Sequence, residues 1–92
     1  MTLTDKSLKY YVTLDLPSGR RLLVWRVGMF PVGLWIESRV CEKKSDNPEH
    51  WSVTDDHESF VGAPTVEEFL KKNSLPSDGW VEIAPGTATI DM

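Results

Sequence analysis

The chain is poor in the residues that build covalent or metal-based chemistry. Cys41 is its only cysteine, and His50 and His57 are its only histidines. One thiol excludes an intrachain disulfide and any thiolate cluster within the chain, and a reducing, cytosolic (host-cell cytoplasmic) setting is the natural reading. No apolar run approaches the roughly 20 residues that span a bilayer, so no membrane partner is expected. Residues 1–9 contain no apolar h-region and no small-residue cleavage site, and no signal peptide is read there. Glycines are scattered, and neither GxGxxG nor the GxxxxGK phosphate loop occurs. Repeats, low-complexity tracts and long linkers are missing as well, which leaves residues 1–92 as a single domain.

The catalytic and metal patterns that remain are incomplete. Cys41 with His50 or His57 is formally a nucleophile and base. Nothing around Cys41 resembles a nucleophile motif, however, and strand alternation accounts for its position. Six residues separate His50 from His57, outside the H-x3-5-H spacing of zinc sites. Asp46, Asp55, Asp56 and Glu58 do not follow the alternating ligand positions of a calcium loop. No acid sits in an evident apolar pocket that would raise its pKa for general-acid work. The chain therefore reads as non-catalytic, with no cofactor and no metal.

A hydrophobic fraction of 40% against 26% charged residues nevertheless describes a folded globule rather than a disordered chain. At this length only about 60–65% of the unfolded surface is buried, so the core is thin. Leu8, Tyr10, Val12, Leu14 and Leu16 alternate with polar neighbours, the period-2 pattern of a half-buried strand. Pro17-Ser18-Gly19 breaks the run, and Arg21–Val27 returns as a second strand, giving a hairpin. Gly28, Pro31 and Gly33 mark the next turn, after which Leu34, Ile36 and Val40 define a third strand. Residues 45–50 read as a loop, and Trp51 and Val53 open a short fourth strand. Thr65-Val66-Glu67-Glu68 is a capping box, followed by a stripe of Val66, Phe69 and Leu70 that can sit on a sheet. Asn73 and Pro76 end that helix after two to three turns. Trp80–Ile83 makes a last strand, and Pro85-Gly86 begins a tail. The expected fold class is α+β: an antiparallel sheet of three to five strands, ordered β-β-β-(β)-α-β, with one short helix packed on a face.

The net charge of −4 is unevenly distributed. Residues 1–44 carry +4 and residues 45–92 carry −8, a split that can steer a charged partner or simply solvate the surface. Two candidate contact surfaces follow. Asp46, Glu49, Asp55, Asp56 and Glu58 form an acidic set able to mimic phosphates. Trp35, Arg20, Arg21 and Arg39 form a second set, because an outward Trp beside Arg is a typical interface composition. Trp35 can equally pack under the Met29–Pro31 loop or the tail, while Trp25 and Trp51 read as core. The basic strands, with Tyr11 or Trp35 exposed, have the composition for stacking a base, although an acidic chain is a poor ligand for free duplex DNA.

As a whole chain, the sequence resembles the small phage-encoded anti-CRISPR proteins that act on type I surveillance complexes. The likeness lies in the 92-residue length, the hairpin over Leu8–Val27, the single helix over Thr65–Leu75 and the acidic run Asp55–Glu58. It implies an inhibitor that binds a CRISPR effector and blocks target nucleic acid by steric and electrostatic occlusion, with contact to guide RNA open to the basic hairpin. Alternatives are an immunity protein for a basic nuclease toxin, and a structural or accessory phage protein.

Overall fold

Alternating apolar residues set the first hairpin as the sequence requires. In the computed structural model, which describes residues 1–54, 60–83 and 88–91, β1 (Tyr11–Asp15) pairs antiparallel with β2 (Arg21–Met29). Gly19 takes φ 86° in the connecting turn, a conformation open to glycine at little cost. β3 (Gly33–Asp46) runs back along all of β2, and β4 (Glu49–Val53) pairs with its second half. One helix, α1 (Val66–Lys72), precedes two three-residue strands, β5 (Val81–Ile83) and β6 (Thr89–Asp91). The fold is α+β and mostly β.

The sheet departs from expectation in count and direction. Among the described residues it has six strands in the order β5-β1-β2-β3-β4-β6, and β6 lies parallel to β4. A three-residue strand is too short to show periodicity, and a Pro-Gly start reads as a tail, which is why β6 is invisible in the sequence. The loop expected over residues 45–50 is a tight hairpin instead: β3 extends to Asp46 and β4 starts at Glu49, with a register shift between Lys43 and Ser45. Because β5 and β6 occupy opposite ends of the sheet yet only six residue steps separate Ile83 from Thr89, the sheet must curl. Six steps reach about 20 Å, whereas six strands laid flat put their edges about 24 Å apart.

Curling gives the sheet two cores. On the outer face, Val12, Leu22, Val24 and Ile36 pack under α1 through Val66, Phe69 and Leu70, with Trp80 closing the end. Trp80 is buried and donates its indole N–H to the Pro76 carbonyl at 2.9 Å. Inside the curl, Leu23, Cys41 and Trp51 pack with Ile83 and Ile90, one from each edge strand. The helix forms where the capping box places it. Thr65 is the N-cap and accepts the Glu68 amide at 3.2 Å, and Asn73 is the C-cap.

Candidate binding surface

The β2–β3 hairpin outruns its neighbours. β1 pairs with β2 only as far as Val24, and β4 pairs with β3 only from Cys41 onward. From Trp25 and Glu37 outward the two strands are paired with each other, apart from one bridge between Ile36 and Ala63. The result is an arm that ends at residues 30–32. Gly33 takes φ 95° where the chain re-enters β3, a conformation an L side chain rarely adopts.

The arm is apolar where water meets it. Val27 to Ile36 is a run of ten residues without a single charged, hydroxyl or amide side chain. Phe30 is 99% exposed, and Val32 and Leu34 are 58% and 59% exposed. Scattered apolar residues on a surface carry no message, but a contiguous exposed cluster marks a contact site. One usable signal for it lies in the sequence, the absence of charge over those ten positions, but the Gly-Pro-Gly spacing reads only as a turn.

Trp35, placed in the second contact set, is half-buried at the base of the arm. Its indole lies against Gly62, where a side chain would also come within 2.8 Å of the Ile36 carbonyl oxygen. The segment before α1 is thus one of its packing partners. Trp51 is core as expected, whereas Trp25 is only partly buried, at the margin of the inner core.

The charged candidates among the described residues are engaged within the domain, mostly with residues outside the two sets. Arg21 donates from Nε to Asp15 at 2.7 Å and from Nη1 to Glu49 at 2.8 Å, and its guanidinium lies 4.3 Å from the Trp51 ring centroid. Glu49 also accepts the Trp51 indole N–H at 2.7 Å. That hydrogen bond, followed by Arg21 and more distant Lys43, holds the Glu49 carboxyl below its ordinary value despite partial desolvation. Asp46 is paired with Lys43. Arg20 pairs with Glu42 at 3.5 Å, and Arg39 with Glu37 at 3.5 Å while donating to the Ser38 carbonyl at 2.7 Å. The structure therefore joins Arg21 and Glu49, drawn from the two different sets, and distributes the others along the strands. Asp55, Asp56 and Glu58 lie outside the described residues, as does His57.

Cys41 and His50 do not meet. Cys41 is opposite Val53 in the ladder and buried in the inner core with Trp51, and alternation turns His50 to the other face. There His50 Nε2 lies 2.6 Å from Asp91, tying β4 to β6. Burial pushes the Cys41 thiol up to about 11. Among the described residues no three His, Cys, Asp or Glu side chains converge as metal ligands, and no helix is long and apolar enough to cross a membrane. In comparisons with known proteins, no family model, no curated protein and no solved structure matches the chain.

Proposed function

We propose that this domain is a non-catalytic inhibitor that docks on a protein through the β2–β3 arm, with Phe30 as the anchor. The supporting observation is the exposure of Phe30, Val32 and Leu34 on one projecting hairpin whose outer ten residues carry no charge. A hairpin already paired out to Met29 and Gly33 loses less freedom on binding than an unpaired segment, and an aromatic seated in an apolar socket is the usual centre of a protein interface. The body of the domain then stands over the surface beside the socket and occludes it. The partner assigned is a type I CRISPR effector, on the whole-chain resemblance, and the surface occluded is its target-nucleic-acid site.

Asp46 and Glu49 spend their charge within the domain, so the electrostatic part of occlusion falls to Asp55, Asp56 and Glu58. The test is target-DNA binding by a purified type I surveillance complex. Wild-type protein abolishes it, and Phe30→Asp raises the concentration needed by at least about 30-fold, the size of a hot-spot loss. Reversal of charge at Asp55 and Asp56 weakens inhibition less. Full inhibition by Phe30→Asp overturns the arm as anchor, and no inhibition by the wild type overturns the effector assignment.

A further inference from the structure

The inner face of the sheet changes character toward the arm. Around Leu23 and Cys41 it is shut by Ile83 and Ile90. Two residues farther along β2, the rings of Tyr11 and Trp25 lie 5.9 Å apart at 64°, and Tyr10 joins them 4.4 Å from Tyr11 at 70°. These three rings, with Lys9 and Arg26, line a cavity of about 130 Å³. That is below the roughly 300–1,000 Å³ of a site for a drug-sized ligand, so it suits one small flat group.

The charge at the lining chooses between two ligands. Rings set nearly at right angles can cage a quaternary ammonium, but the Lys9 ammonium repels a cation. An anion attached to a flat ring suits both features. Arg26 is partly committed, since its Nη2 donates to Asp5 at 2.7 Å, although its buried Nε has no acceptor among the described residues. Lys9 is exposed and has no acidic partner among the described residues. We infer that this cavity binds an unpaired nucleotide, its base stacked on one ring of the Tyr10–Tyr11–Trp25 cluster with an inclined neighbour against its edge, and its phosphate paired with Lys9. Stacking on aromatic side chains with a cation for the backbone is how single strands are held without sequence preference. The nucleotide can be free or part of a strand, since the chemistry is the same.

The test is a nitrogen-15 NMR titration of the whole domain with adenosine and uridine monophosphates and with a short unstructured RNA strand. Resonances of Lys9, Tyr10, Tyr11 and the Trp25 indole shift together. Lys9→Glu and Tyr10→Ala, both at exposed positions, leave the rest of the spectrum in place, and each weakens binding about tenfold or more. Shifts with monophosphates assign a free nucleotide as a sufficient ligand; shifts with the strand alone assign a strand's unpaired base. The inference is overturned if neither ligand moves these resonances, if both variants bind like the wild type, or if tetramethylammonium moves them instead. Because only the domain and nucleotide are present, this result is independent of whether the arm binds a protein.

Discussion

At Gly62 the lack of a side chain decides how Trp35 is held. A Cβ there would press into the indole and approach the Ile36 carbonyl oxygen at 2.8 Å, where the backbone has no room to give. Gly62→Ala is expected to cost about 1–3 kcal/mol, as overpacking does, read as a lower urea midpoint at unchanged slope. Glu49 gives a second residue-scale prediction, in pH. Its folded pKa is lowered, chiefly by the Trp51 indole and then by Arg21, so its contribution is present above the ordinary value of 4.5 and is lost as pH falls through the folded value. Wild type and Glu49→Gln should therefore differ in urea midpoint near neutrality and converge in acid. A constant difference down to low pH would mean that the carboxylate charge does nothing. Cys41, with its thiol pushed up to about 11 and its side chain in the inner core, should react with a thiol reagent at pH 8 only as fast as that core opens.

Among the elements, the short helix leans on its C-cap. Asn73 accepts the Val61 amide at 2.8 Å and donates to the carbonyls of Val61 at 2.9 Å and Phe69 at 2.8 Å, so one side chain fastens the incoming segment to the helix end. Asn73→Ala should lower stability by about 1 kcal/mol, since the freed Val61 amide and carbonyl are exposed and can turn to water, which leaves the part-buried bond to the Phe69 carbonyl as the main loss. The same scale shows what the sequence can and cannot disclose. Thr65 and Glu68 are three residues apart and their hydrogen bond is local, so the helix start is readable from four letters. The first hairpin is readable for the same reason, with Val12 and Leu14 alternating into a nearby turn. β6 is not: Thr89–Asp91 is defined by pairing with β4, some forty residues earlier, and by the curl that brings it there. The contact residues divide in the same way. Arg21 and Glu49 look like free charges until the β2–β3–β4 register brings them to 2.8 Å. Phe30 falls within the turn marked by Gly28, Pro31 and Gly33, and only the pairing shows that neither β1 nor β4 reaches it.

For the whole molecule, the curled sheet does two jobs with one chain. Its body is closed by Ile83 and Ile90 and by α1, and its longest hairpin is left standing out of that body. This makes stability and binding separable. Phe30 is almost wholly exposed, so Phe30→Asp should leave the unfolding midpoint unchanged, while Ile90→Asp, in the inner core, should lower it sharply by placing a charge among Leu23, Cys41 and Trp51. The most direct measurement is amide hydrogen exchange on the domain alone and on the domain saturated with a purified type I surveillance complex. Docking through the arm predicts new protection over residues 27–35, with the β3–β4 turn unchanged. Protection confined to residues 45–60, with the arm exchanging as it does in the free domain, would contradict it.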